Sequence, residues 1–233
     1  DGANVGAVCR AMKTMGLTNL TIVGGTRLDP DRVNVVAVHA ADIFSRSQRH
    51  QTLSDAVRGS ALTAGFTRRT GKWRKYTSYS PEEFAQLTTS IGNGVVSLVF
   101  GNERTGLTDS DLNCCDCAVN IPTSPRFPSL NLSHAVQIAL YVLSRAHENL
   151  HPGKGPGLSE HAQKHPVTRE TLQMHVESII SDLERIGFFS LTGKEDMSRF
   201  FRDIFARALL EKREAERMAS IFHKLADLKI YRQ

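Results

Sequence analysis

The strongest constraint in this sequence is an alternation that stops two thirds of the way along. Up to about residue 150, short apolar β-type runs take turns with segments of helical period. The runs are Leu20 to Val23, Ala61 to Gly65, Val95 to Phe100 and Ala118 to Ile121. Between them, Val5, Val8, Cys9, Met12 and Met15 recur on one helical face, with Gly16 placed as a C-cap. Val33 to Ala41 and Leu53 to Val57 read as further helix, and Ser80-Pro81-Glu82-Glu83 is a helix start with Ser80 as N-cap. Leu130 to Leu150 is a long helix rich in Ala, Val, Ile and Leu. Strands that alternate with helices make an α/β domain with a mainly parallel sheet. The continuous run Val95 to Phe100 fits a central strand buried on both faces.

The pattern then changes. His151-Pro152-Gly153-Lys154-Gly155-Pro156-Gly157 opens a flexible linker, residues 151–166, and everything beyond reads as helix. One apolar stripe runs through Leu172, Val176, Ile179, Ile180 and Leu183. A second holds Phe200, Phe201, Ile204, Phe205, Ala208 and Leu209, and a third Met218, Ile221, Phe222 and Leu225. Stripes of this kind are core before they are base-stacking surfaces. The expected organisation is an α/β domain over residues 1–150, the linker, and a small all-helical carboxyl-terminal extension over residues 167–233.

No apolar run approaches the roughly 18 residues that span a bilayer, and the opening Asp1-Gly2-Ala3-Asn4 is no signal peptide, so a cytoplasmic protein without a membrane partner is expected. The net charge of +5 is compatible with a polyanionic partner without demanding one. Of four cysteines, three crowd into Cys114-Cys115-Asp116-Cys117 without the second ligand pair of a structural zinc site; reduced cysteines beside a packed strand are expected.

Two loops carry candidate chemistry. Phe100-Gly101-Asn102-Glu103-Arg104-Thr105-Gly106-Leu107 follows the most apolar strand, at the end where open α/β sheets bind ligands. Its glycines allow close backbone approach, but it has neither the spacing of a dinucleotide fingerprint nor the Lys-Ser/Thr of a phosphate loop. The second loop, Ile121 to Ser133, holds Pro122, Pro125 and Pro128 in a fixed non-helical path; Ser129 or Asn131 can cap the helix behind it.

Together with Asn4-Val5-Gly6-Ala7-Val8-Cys9-Arg10-Ala11, these two loops resemble the three sequence motifs of the SpoU/TrmH group of SPOUT RNA methyltransferases, in the same order. Arg10 to Leu17, Glu103 to Thr108 and the helical extension are similar to the TrmJ subgroup. The resemblance covers residues 3–150 well and the extension loosely. It implies a SPOUT α/β-knot fold, mainly parallel, with a deep carboxyl-terminal trefoil knot that no pattern argument would suggest. It also implies S-adenosylmethionine as methyl donor, no metal, a homodimer with the site near the interface, and 2′-O-methylation of the ribose of tRNA nucleotide 32. The cofactor residues it implies are Ala64, Gly65, Phe66, Gly101, Ile121, Pro128, Ser129 and Leu130; Phe66 stands where a small residue is usual. A further strand ahead of Asn4 is implied too, supplied by residues before Asp1, since a lost core strand would leave the sheet uncovered.

The reaction needs a ribose hydroxyl aligned with a methyl group and relieved late of its proton. By resemblance, Arg10 is the catalytic residue; an always-protonated guanidinium stabilises a developing alkoxide more easily than it acts as a base. Asn131 and Ser129 position the ribose or the cofactor tail, Glu103 orients Arg10 or holds its loop, and Asn4 fixes the loop that presents Arg10. The basic loop Arg68, Arg69, Lys72, Arg74 and Lys75, with Trp73 and Tyr76 interleaved, is the expected RNA contact. Two alternatives stay open: the same reaction on ribosomal RNA, and a non-catalytic RNA-binding protein on this scaffold.

Overall fold

The computed structural model describes residues 1–25, 27–68, 78–150, 164–189 and 193–230, without the side chains of 148–150 and 229–230. Helix α1 (Gly2–Thr14) is capped by Asp1, whose carboxylate accepts the Ala3 amide at 3.0 Å. Its buried face, Gly6, Val8, Cys9, Ala11 and Met12, packs on α2 (Pro30–Ala37). The two backbones meet at Gly6, where an added Cβ would lie 2.4 Å from the Val33 carbonyl oxygen.

The single helix expected over Val33 to Ala41 is broken. Val38 has φ +52, left-handed backbone that a β-branched residue rarely adopts. A 3-10 turn (Val38–Ala40) follows, and then α3 (Ala41–Ser45). Lys13 holds this corner from α1, donating to the His39 carbonyl at 2.6 Å and pairing with Asp42 at 2.8 Å.

Strand β1 (Thr21–Val23) pairs in parallel with β2 (Gln48–His50), and α4 (Leu53–Val57) follows under a Thr52 cap. A second, all-parallel sheet is built from β3 (Leu62–Phe66), β4 (Ser78–Tyr79), β5 (Val96–Phe100) and β6 (Cys117–Val119), in the order β4-β6-β3-β5. Among the described residues β5 stands at the end of this order, beside β3. All five residues of β5 are half-buried, whereas all five of β3 are buried between two neighbours. A Cβ on Gly65 would come within 2.8 Å of the Leu112 side chain and 3.0 Å of Cys115 Sγ, so the glycine lets the next layer approach β3 closely. Cys115 and Cys117 are buried and all four cysteines are free thiols.

Helix α5 (Pro81–Thr88) starts with the full capping box of Ser80 and Glu83. The short α6 (Asp109–Asn113) has its own capping box on Thr108 and Asp111, and the long α7 (Leu132–Leu150) leaves the proline-rich loop. One apolar cluster joins α1, α2, α3 and α7 through Val33, Ile43, Val136 and Leu140. Another lies on the sheet around Leu62, Phe84, Val119 and Ala139.

Helices α8 (Arg169–Arg185), α9 (Lys194–Arg207) and α10 (Lys212–Ile230) share a third cluster of Val176, Ile179, Leu183 and Phe205. The expected stripes are only partly core: Phe200, Ile221 and Leu225 are exposed, because three helices cannot cover every apolar position of an amphipathic face. The chain entering α8 is pinned to the sheet. Residues 164–166, assigned to the flexible linker by sequence, bridge Ile91 through Lys164 and Glu211 through Pro166. Leu209, at φ +54, inserts into the cluster around Leu62. Arg169 pairs with the buried Asp116 carboxylate, which also accepts the Thr63 amide at 2.8 Å. These contacts lie at the amino ends of β3 and β6, away from the loops at their carboxyl ends. Among the described residues no helix is long and apolar enough to cross a membrane.

Candidate active site

The carboxyl ends of β3, β5 and β6 open into one cleft, and two of the three sequence motifs supply its rim. The loop after β5 is folded back on itself. Asn102 and Gly106 form an antiparallel bridge, and the Asn102 side-chain oxygen accepts the amides of Arg104 at 3.0 Å and Thr105 at 2.9 Å. Gly106 takes φ +67 to close the turn. The fold-back presses on Gly101, where a Cβ would lie 2.1 Å from the Gly106 carbonyl carbon and 2.3 Å from the Leu107 nitrogen. Only glycine fits there, and the result is bare backbone facing the cleft.

The loop after β6 is stapled by Thr123, whose hydroxyl donates to the Pro128 carbonyl at 3.2 Å. It ends at Asn131, which does two things. Its side-chain oxygen accepts the Ser133 amide at 2.9 Å and so caps α7, while its amide nitrogen donates to the Asn4 side-chain oxygen at 3.0 Å. Asn4 in turn donates to the Glu103 carboxylate. The chain Glu103–Asn4–Asn131 thus links all three motifs, with Glu103 on the cleft wall.

Of the residues implied for the cofactor, Phe66, Gly101, Ile121, Pro128, Ser129 and Leu130 line the cleft. Ala64 and Gly65 do not. They lie inside β3, paired with Leu98, Val99, Cys117 and Ala118, and Gly65 is filled against Leu112. Phe66, the unusual residue, stacks on Phe100 with ring centroids 4.5 Å apart, so its bulk forms part of the floor. Arg68 is exposed on the rim. Arg69, Lys72, Arg74 and Lys75 lie outside the described residues, as do Trp73 and Tyr76.

Arg10 is on α1 but not on the cleft wall. It is exposed, six residues on from Asn4, which at 100° and about 1.5 Å per residue turns it to another face of the helix roughly 9 Å away. Sequence reasoning missed Asn120, whose side-chain amide donates to the carbonyls of Thr67 and Arg68 at 3.1 Å each and ties the loop after β3 to the loop after β6. A lone asparagine after a strand carries no signal of that role. Among the described residues, no three His, Cys, Asp or Glu side chains are placed to hold a metal ion.

The comparisons with known proteins agree with this geometry. The sequence profile of the SpoU rRNA Methylase family matches residues 1–141. The tRNA (cytidine/uridine-2′-O-)-methyltransferase TrmJ of Yersinia enterocolitica is 31% identical over 214 residues, which is 91% of this chain and 82% of that protein. TrmJ of Klebsiella pneumoniae is 31% identical over 212 residues, 91% of this chain and 86% of that protein. Among solved structures, TrmJ from Z. mobilis ZM4 superposes with a TM-score of 0.74 at 24% identity, covering 97% of this chain and 94% of the other. A probable methylase family protein from Haemophilus influenzae Rd KW20 gives 0.60 at 29% identity, covering 98% and 94%. A parallel α/β sheet with two motif loops at one end, a family profile over most of the sheet domain and relatives alike over nearly the whole chain lead to one assignment: the chain belongs to the SpoU methylase family, as a TrmJ-type SPOUT methyltransferase of the α/β-knot fold class.

Proposed function

We propose that this protein transfers a methyl group from S-adenosylmethionine to the ribose 2′-hydroxyl of a tRNA, at nucleotide 32 of the anticodon loop. The observation that carries the reading is the hydrogen-bonded chain Glu103–Asn4–Asn131, which gathers three distant motifs at the mouth of a single backbone-lined cleft. The names of the TrmJ relatives, tRNA (cytidine/uridine-2′-O-)-methyltransferases, favour tRNA over ribosomal RNA.

The cleft suits the donor on its own terms. Gly101 lets the loop fold back tightly on itself at the cleft wall, and Phe66, Ile121 and Leu130 give apolar walls for an aromatic base. The donor supplies an activated methyl on a sulfonium and so needs no metal. The protein's residues do the rest. Ser129 and Asn131 at the loop end hold the ribose or the donor's tail, and Glu103 keeps Asn4 and Asn131 in register. The basic loop that includes Arg68 and Arg69 takes up RNA phosphate.

Arg10 acts in the cleft of a second copy of the chain. On its own protomer it points away from the Asn4 face, and α7 presents Ile138 and Tyr141, exposed to 37% and 54%, as an apolar surface for a homodimer. The guanidinium then stabilises the alkoxide that develops as the ribose proton leaves.

The test is methylation of total tRNA with labelled donor, followed by mapping of the modified nucleotide. Arg10→Ala is expected to lower the rate by about 100-fold or more, in the range of a lost oxyanion donor, while donor binding is kept. Label at a base, or at a ribose elsewhere than nucleotide 32, contradicts the proposed position. A full rate from Arg10→Ala removes the catalytic assignment.

A further inference from the structure

A second concavity, larger than the methyltransfer cleft at about 580 Å³, lies between α8, α9 and the end of α6. The helical spacing builds it: Gln173, Glu177, Ile180 and Glu184 come from one face of α8, and Glu195, Ser198, Arg199 and Arg202 from one face of α9. Its charges are sorted along its length. At one end Lys194 and Glu184 neutralise each other at 2.6 Å, with Glu195 beside them. Arg202 is eight residues further along α9, roughly 12 Å away.

At the Arg202 end three cations gather, Arg202, Arg199 and Arg169, with Asp203 and Asp116 as the carboxylates that act on Arg202. Arg202 Nε is sealed from solvent and has no hydrogen-bond partner. Nη1 donates to the Gln173 side-chain oxygen at 3.2 Å, and the amide of the same Gln173 donates to Glu177 at 2.8 Å. The glutamine thus stands between the guanidinium and the carboxylate that could have paired with it. Among the described residues no carboxylate lies within ion-pair distance of Arg202. Asp116 faces the same region from the sheet side and is engaged by Arg169, and Arg169, one turn before Gln173, adds its positive field. Burial first, and then Arg169, press against the Arg202 charge, while Asp203 and Asp116 partly offset them, and the guanidinium keeps its proton. A half-buried guanidinium whose Nε is sealed and unbonded, with no carboxylate in contact, is stabilised by an anion that completes its hydrogen bonds. The planar guanidinium fork is suited to a phosphate, and Arg199, one turn away on the same face, supplies a second donor.

We propose that the Arg202 end of this crevice binds a phosphate group, with the half-buried Arg202 as the inner anchor and Arg199 as the outer donor. Two sources share that chemistry: a phosphodiester of the RNA substrate, and a free phosphate or phosphomonoester. Helix α6, whose cap Thr108 follows Leu107 on the wall of the methyltransfer cleft, ends at Asn113 on the crevice wall. One bound RNA strand can therefore reach both.

The experiment uses the full chain and the variants Arg202→Met and Arg199→Gln. Inorganic phosphate is titrated against chloride at matched ionic strength, read as thermal stability, and tRNA affinity is measured across a salt series. The wild type is expected to gain a few degrees in phosphate, roughly as for a ligand at ten times its Kd, and both variants are expected to lose that gain. If tRNA affinity also falls in Arg199→Gln and its salt slope drops by about one, the phosphate belongs to the RNA backbone. If tRNA affinity is unchanged, it is a free phosphate or monoester. Equal stability of the wild type in phosphate and chloride, with tRNA affinity indifferent to both substitutions, overturns the proposal. None of these readouts needs methyl transfer, so failure here is distinct from failure of the enzymatic reading.

Discussion

Removing the guanidinium of Arg169 is a sharp perturbation, because the group it leaves behind can be named. The Asp116 side chain is 3% exposed and that of Arg169 is 12% exposed. Arg169 also donates to the Asn113 carbonyl at 3.2 Å, and its backbone amide donates to the Ser60 carbonyl at 2.8 Å, so the head of α8 is clamped to the sheet by both main chain and side chain. In Arg169→Ala the Asp116 carboxylate remains buried without its cation. Breaking a buried pair in this way costs about 3–5 kcal/mol, several times an exposed pair such as Lys194–Glu184. At roughly 2–4 °C per kcal/mol for a chain of this size, the melting temperature should fall by about 6–20 °C. The assay is calorimetric or dichroic melting of the wild type, Arg169→Ala, Asp116→Asn and Arg169→Met/Asp116→Asn. The double variant removes both charges and should lose clearly less than the sum of the singles, by about 2 kcal/mol. Donor affinity should hold in all the folded variants, because the clamp sits at the amino ends of the strands and the cleft at their carboxyl ends. A shift under about 2 °C for Arg169→Ala, or strict additivity in the cycle, refutes the view of this pair as the joint between sheet and extension.

Three further outcomes follow from single sites. Gly101→Ala places a Cβ 2.1 Å from backbone that cannot step aside, so donor affinity should drop by at least about tenfold with a loss of about 1–3 kcal/mol in stability; calorimetric titration of the donor measures it. Ser80→Ala removes the oxygen that accepts the Glu83 amide at 3.2 Å and should cost about 1 kcal/mol in a urea melt, with methyl transfer unchanged. Burial pushes the Cys9 thiol up to about 11 from 9.0. The unfolded chain therefore loses this proton first, and the contribution of Cys9, complete below pH 9, is lost as pH rises from 9 towards 11, by at most about 2–3 kcal/mol. Stability of Cys9→Ala measured against pH should lack that component of the decline; identical slopes for variant and wild type would contradict it.

Much of this protein could be read directly from residue order. The strand–helix alternation fixed a parallel α/β class, because an extended apolar run and a helical period cannot be exchanged without exposing the apolar face. Local chemistry placed the start of α5, where Ser80, Pro81 and Glu83 satisfy the first amides without help from elsewhere. Three motifs pointed to the family, and two of them marked the rim of the cleft.

Tertiary structure decided what depends on neighbours. The strand from Val95 to Phe100 is half-buried while β3 is buried throughout, and Gly65 of β3 admits Leu112 and Cys115; how deeply a strand is buried depends on what packs across it, and that partner is distant in sequence. The helix over Val33 to Ala41 was broken at Val38, a corner that Lys13 holds from another helix. Gly65 looked like a ligand glycine and became a packing glycine, while Asn131 looked like a cap and became both a cap and a bridge to Asn4. Sequence fixes what each residue can do locally. A cleft, a clamp or a half-buried arginine with a sealed, unbonded nitrogen exists only once the folded chain has set which groups share a small volume, because the interactions that define them fall off within a few ångströms.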